Sequence, residues 1–276
     1  MPTPTVTESG EAMAGSDPVL ISDNGAVRTI TLNRPAQRNA IDMDLRIALA
    51  AAVEAADADP NIRAVVLAGA GSAFCAGGDV ASMQRVPANE AIERAQLAKR
   101  VIAAIWSTGK PVLAAVDGPA IGAGAALAAA CDRVIAGRGA KFAFTFINIG
   151  LCGDMGTFVS LPSRVGTARA RQLLMFATAL DATEALQIGL VDEVVDAGHA
   201  LGKAHDDAQR LACGPAIALR TIKTMLADSG SMYPLEVFDR EAHHQAQLFD
   251  TDDFAEGIAA LREERKPVFN APRNCS

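Results

Sequence analysis

Two glycine- and alanine-rich stretches constrain this chain more than any other feature: GAGSAFCAGGD at Gly69–Asp79 and KPVLAAVDGPAIGAGAALAAACD at Lys110–Asp132. Each links an apolar run to a helix-like segment, so each reads as a strand, a tight turn and a helix start. Turns of this kind can leave backbone N–H groups bare, and two such donors aimed at one point form an oxyanion hole. Taken singly, the glycines have a plainer reading, in which they only permit tight turns and close packing.

The segments around these turns set the fold class. Val19–Ser22 and Val27–Leu32 flank Asp23-Asn24-Gly25, a hairpin signal because Asn-Gly tolerates positive φ. Asn33-Arg34-Pro35 ends the second strand, and Asp42 is placed to cap a helix running to about Ala56. Ile62–Ala68 and Pro111–Val116 read as buried strands. Between them come the first glycine loop, a short helix, and a longer helix over Asn89–Ser107. Gly122–Ala130 reads as a small-residue helix, followed by extended segments at Val134–Ala136 and Lys141–Phe146. This order implies an α/β architecture. From Ala168 the chain turns mostly helical, at 168–176, 183–188, 197–211, 216–227, 235–249 and 252–262, broken by LVDEVV at Leu190–Val195. The expected organisation is a flexible tail over 1–17, an α/β core over 18–200, and a helical C-terminal region over 201–276 for assembly and for covering the site.

Composition narrows the function classes. The chain has 276 residues, is 50% hydrophobic and 21% charged, and can bury a sizeable core. Its net charge of -7 argues against nucleic acid or an anionic membrane as partner, because phosphate affinity rests on clustered Lys and Arg. Charged residues interrupt every apolar run before it could cross a bilayer. The N-terminal stretch lacks both the basic start and the apolar core of a signal peptide. The five cysteines, Cys75, Cys131, Cys152, Cys213 and Cys275, show no CxxC spacing and read as reduced thiols in a cytoplasmic protein. His243 and His244 are adjacent, point in different directions on a helix and cannot share a metal, so no metal site is expected.

With these segments laid out, the chain resembles the crotonase superfamily, the enoyl-CoA hydratase/isomerase family, over Val19–Phe269. NRPAQRNAID at Asn33–Asp42, SAFCAGGDV at Ser72–Val80, KPVLAAVDGPAIGAGAALAAACD, and GLCGDMGTFVSLPSRVG at Gly150–Gly166 follow one another in the order of the family's blocks. The resemblance implies a spiral of ββα units, assembly into homotrimers usually paired into hexamers, and an acyl-CoA thioester as substrate. Coenzyme A enters only as part of that substrate, with no metal or redox cofactor. It also implies that the amides of Gly78 and Ala123 receive the thioester oxygen when an enolate forms.

Both glutamates of the family's hydratases are replaced here, the first by Ala126 and the second by Phe146. Neither side chain can move a proton, which argues against simple hydration. Asp154 matches an aspartate carried in this loop by some isomerase branches. One carboxylate suffices to take a proton from one carbon of an unsaturated acyl chain and return it to another. Phe142, Phe144, Phe146, Met155 and Phe158 are expected to surround it, and Ala125 and Ala126 suggest an enlarged apolar pocket. Alternatively, Asp154 caps the following turn or pairs with Arg164 or Arg169. Two other functions stay open: a hydratase, or a C–C hydrolase or lyase, drawing on Glu236, Asp239 or Glu241, and a non-catalytic acyl-CoA binding protein. For the coenzyme, the resemblance points to Ala76, Gly78, Asp79, Val80 and Ala81 around pantetheine and adenine, with capping an equal role for Asp79. Arg34, Arg38, Arg265 and Lys266 are the candidates for its phosphates, the last two across a subunit boundary.

Overall fold

In the computed structural model, which describes residues 17–270, the chain begins with the expected hairpin. The tail read over 1–17 lies outside the described residues apart from Asp17. Strands β1 (Val19–Asn24) and β2 (Val27–Leu32) pair antiparallel, and Gly25 takes the turn at φ 59. Asp42 Oδ1 accepts the Leu45 N–H at 2.8 Å and opens helix α1 (Met43–Ala58). The chain then returns through β3 (Ala64–Gly69), α2 (Ala88–Ser107), β4 (Val112–Val116), α3 (Ala123–Ala129) and β6 (Arg133–Gly137). With β9 (Glu193–Val195), these strands form one six-stranded sheet in the order β1-β2-β3-β4-β6-β9, parallel except at β1.

A second, three-stranded sheet joins β5 (Pro119–Ile121), β7 (Lys141–Ala143) and β8 (Leu180–Asp181). Neither β5 nor β8 is legible by periodicity, because two or three residues cannot display an alternation. Helix α4 (Thr157–Phe176) starts well before the expected Ala168. Pro162 lies inside it and Gly166 breaks it at φ 75, ψ 157, so its first half looks like a loop in sequence. The short helix α5 (Ala182–Gln187) then leads to β9.

Buried alternation along β3 shows how the layers divide. Val65 and Leu67 face α1 and α2 in one core, beside Leu45, Leu49, Ile102 and Ile105. Ala64 and Val66 face the other way, onto α6 (Ala200–Ala212). That helix presents Ala200, Ala204, Ala208 and Ala212 to the sheet, one residue per turn, so its backbone lies close against the strands. Although the sequence reading counts it with the C-terminal helices, α6 covers a whole face of the sheet. Arg133 Nε on β6 meets Asp207 Oδ2 at 2.7 Å, and Lys203 Nζ meets Asp207 Oδ1 at 2.6 Å, fixing the helix register. Burial pushes the Asp207 carboxyl up, but the hydrogen bonds from Lys203 and Arg133 outweigh it and hold it below its ordinary range. Beyond α6, the chain ends in α7 (Ala216–Ser229), α8 (Pro234–Phe249) and α9 (Asp252–Arg262).

The flush packing of α6 gives a direct test. Ala204→Leu inserts a bulky side chain where the exposed fraction is 0%. It is expected to lower unfolding free energy by about 1–3 kcal/mol, read from the denaturant midpoint with the slope unchanged.

Candidate active site

The two glycine turns meet because a short parallel bridge joins Cys75 to Ala120. The Cys75 N–H donates to the Pro119 carbonyl at 3.1 Å, and the Ile121 N–H donates to the Cys75 carbonyl at 2.9 Å. This proximity leaves no room for side chains. A Cβ at Gly124 would lie 2.3 Å from the Cys75 carbonyl oxygen, and one at Gly77, where φ is 98, would lie 2.8 Å from the Ile121 carbonyl oxygen.

The bridge also decides which amides stay free. Ile41 pairs with the first turn through Ile41 N to Gly77 O at 2.7 Å and Asp79 N to Ile41 O at 3.0 Å, which passes over the Gly78 N–H. Ala123 is the first residue of α3, and a first-turn N–H has no acceptor within its helix. Neither the Gly78 nor the Ala123 amide donates to a protein acceptor among the described residues.

Gly78, Ala123 and Asp154 open on one pocket of about 250 Å³. Val80, Met83, Phe146, Ile149 and Leu151 supply its apolar wall, and Asp154 is the one carboxylate that lines it. Asp154 Oδ2 pairs with Arg46 Nη2 at 3.2 Å, while Oδ1 is buried with no hydrogen-bond partner. The following turn is held by the Asp154 backbone, whose carbonyl accepts from Thr157 N at 3.1 Å and Thr157 Oγ1 at 2.5 Å. The side chain therefore neither caps that turn nor reaches Arg164 or Arg169. Arg164 binds the carbonyls of Ala129 and Cys131 together with Asp192, and Arg169 binds Gln172.

Arg46 is the partner that sequence reading missed. Its side chain is 1% exposed, and Nη1 donates to the Arg94 carbonyl at 2.7 Å. Burial lowers the affinity of this guanidinium for its proton, and Asp154 opposes that effect. The signal was available: Arg46, Leu49, Ala50 and Val53 share one buried helical face of α1.

Other expected residues fall differently. Ala125 and Ala126 are wholly buried within the core and do not line the pocket, so they do not enlarge it. Of the five apolar residues expected around Asp154, Phe146 alone lines the pocket, while Phe142, Phe144 and Met155 are core and Phe158 is 59% exposed.

Among the coenzyme candidates, Ala76 and Val80 line the pocket, and Ala81 is exposed beside it. The Asp79 side chain accepts the Ala81 N–H at 3.1 Å and pairs with Arg34 at 3.0 Å. Arg34 also pairs with Asp42 at 3.0 Å and donates to the Ala40 carbonyl, so it ties the first turn to α1. Arg38 is exposed at φ 51, and its carbonyl accepts the Ala76 N–H at 2.9 Å. Arg265 grips Glu256 at 2.5 and 2.9 Å and Glu263 at 2.6 Å, whereas Lys266 is exposed. The Arg265 hydrogen bonds, helped by the Val268 N–H, hold the Glu256 carboxyl down to about 2.

The acids considered for other reactions lie elsewhere. Glu241 lines a groove between α7, α8 and α9, Glu236 accepts the Tyr233 N–H at 3.3 Å, and Asp239 is exposed. Burial pushes the thiols of Cys75 and Cys131 up to about 12, while Cys152 and Cys213 are exposed, and Cys275 lies outside the described residues. Among the described residues, no three His, Cys, Asp or Glu side chains group to hold a metal ion.

Known proteins share this arrangement of chain. A family model described as enoyl-CoA hydratase/isomerase matches residues 22–272. The chain is 34% identical over 253 residues to the crotonyl-CoA hydratase of Syntrophomonas wolfei, covering 91% of this chain and 97% of that protein. It is also 34% identical over 247 residues to the 1,2-epoxyphenylacetyl-CoA isomerase of Escherichia coli, covering 88% and 94%. An enoyl-CoA hydratase crystal structure from Polaromonas sp. JS666 matches with a TM-score of 0.87 at 34% identity, over 91% of this chain and 99% of that one.

The contact at Gly124 makes the donor geometry testable. Gly124→Ala must push α3 away from Cys75 and so separate the two amides. Turnover of an acyl-CoA substrate is expected to fall by about 10²–10³, the usual cost of one oxyanion donor, with the far-ultraviolet circular dichroism unchanged.

Proposed function

The chain belongs to the enoyl-CoA hydratase/isomerase family, and from that premise we propose that its pocket moves a double bond along an unsaturated acyl-CoA thioester. One observation carries the reading: two unpartnered amides and a single carboxylate converge on one small pocket. The Gly78 and Ala123 N–H groups receive the thioester oxygen and stabilise the negative charge that develops there. Asp154 Oδ1, which has no protein partner, takes a proton from one carbon and yields a dienolate. Returning that proton to a different carbon completes the shift, so a single group serves as base and then as acid. Arg46 keeps Oδ2 engaged and orients the carboxylate.

Phe146 supports isomerisation over hydration, since it puts an aromatic wall where a water-activating acid would stand. The relative named as an isomerase belongs with this reading, although the relative named as a crotonyl-CoA hydratase is equally similar. The reaction draws on no cofactor beyond the coenzyme A of the substrate. The same proposal includes a cytoplasmic homotrimer or a hexamer of paired trimers. Such assembly would cover apolar side chains like Met175 and Phe176, which are 62% and 76% exposed in the single chain. A second reading rests on Ala126 and Phe146: a protein that binds acyl-CoA and turns nothing over.

Absorbance assays with 3-enoyl-, 2,4-dienoyl- and crotonyl-CoA, run beside direct binding, separate these readings. Asp154→Asn is expected to abolish double-bond migration while acyl-CoA affinity stays within about twofold, because the amides that receive the thioester oxygen are untouched and Asn keeps an acceptor for Arg46. Retained turnover would take Asp154 out of the mechanism. Arg46→Met is expected to lower kcat by about tenfold or more with KM little changed, the scale of one charge-assisted hydrogen bond. In the Asp154→Asn background it should cause no further loss, since its effect passes through that carboxylate.

A further inference from the structure

A second cavity, of about 130 Å³, lies at the opposite end of the sheet from the glycine turns. Arg63 immediately precedes β3, and Lys110 and Pro111 precede β4, so the cavity sits at the N-terminal ends of these strands. The first residue of α7, Ala216, closes it together with Arg220. Its lining holds three cations, Arg63, Lys110 and Arg220, and no carboxylate.

Two features mark it as built. Arg63 Nη1 is buried without any hydrogen-bond partner, which is costly for a charged donor. Gly109 supplies the second. A Cβ there would lie 2.1 Å from Arg220 Nε and 2.7 Å from Cζ, so the absence of a side chain makes the space in which that guanidinium lies. The nearby acids are already engaged. Asp57 accepts from Thr108 Oγ1 at 2.6 Å, and Asp59 pairs with Arg28 at 3.1 Å. The Lys110 ammonium donates all three of its protons to the carbonyls of Ala56, Asp57 and Asp59 at 2.6, 2.8 and 2.6 Å, and the Asp57 and Asp59 carboxylates offset part of its charge, so the two guanidinium groups are the donors left to the cavity.

We infer that this cavity binds a phosphate-sized oxyanion, held by the guanidinium groups of Arg63 and Arg220. Its volume of about 130 Å³ is enough for one tetrahedral anion. Guanidinium forks suit such an anion because they donate in pairs to its oxygens. The shared chemistry is a phosphoryl group, either free phosphate or the phosphate of a nucleotide whose remainder stays in solvent.

Isothermal titration of the full chain with potassium phosphate, against potassium chloride at matched ionic strength, tests this. Saturable phosphate binding is expected in the parent protein. In Arg220→Met, and in Gly109→Ala, which displaces that guanidinium without removing it, binding should weaken by about tenfold or more. Arg220 is exposed, so its replacement leaves the fold intact, as the unfolding midpoint in chloride will show. Repeating the titration with adenosine 3′,5′-bisphosphate separates the sources: tighter binding with the same dependence on Arg220 identifies a nucleotide phosphate, and equal or weaker binding identifies the free anion. Absence of saturable phosphate binding in the parent, or parental affinity in both variants, would overturn the assignment.

Discussion

The bridge between Cys75 and Ala120 is the contact on which the rest of the site depends. It consists of two backbone hydrogen bonds, each of which contributes only about 1 kcal/mol net. It persists because β3 and β4, which lead into the two turns, are buried on both faces of the sheet. Once the turns are this close, glycine becomes obligatory at 124 for space and at 77 for both space and backbone conformation. The unpartnered amide of Ala123, itself only 3% exposed, is a further consequence. A buried donor without an acceptor costs about 1–3 kcal/mol, and an oxyanion arriving in the pocket would recover it.

Arg46 and Asp154 show a different kind of dependence. A guanidinium that is 1% exposed cannot stand without a counter-charge, and the carboxylate facing it belongs to the pocket. Structural and chemical demands therefore fall on the same side chain. Replacing Asp154 with a neutral isostere keeps a hydrogen-bond acceptor for Arg46 but removes the charge that Arg46 was buried against. With Ala126 sealed in the core and Phe146 on the wall, this pair holds all the carboxylate chemistry the pocket has.

The sequence made legible what is local. The hairpin, the Asp42 cap, both glycine turns and the start of α3 each depend on residues within a few positions of one another, where turn chemistry and capping speak directly. Misreadings arose where local rules yielded to tertiary context. Pro162 and Gly166 disguise the first half of α4, whose two pieces are held by packing on both sides of a break. Arginines revealed their charge but not their partners: Arg34 and Arg265 are spent on Asp42, Asp79, Glu256 and Glu263, whereas Arg46 pairs with the carboxylate that lines the pocket. Small residues misled in the same way, because Ala125 and Ala126 allow either an open cavity or close packing, and α3 packs closely.

Parallel strands buried on both faces have only their ends to offer a ligand, and here the two ends differ chemically. The C-terminal ends of β3 and β4 run into turns that leave amides bare and present a carboxylate nearby, an environment suited to charge that appears during reaction. The N-terminal ends are preceded by Arg63 and Lys110, permanent cations suited to charge that is already present. Because α1 and α2 cover one face and α6 the other, no side chain on the strands themselves can join the two environments. The architecture thus places a pocket with two unpartnered amides and a cationic cavity at opposite ends of one short pair of strands.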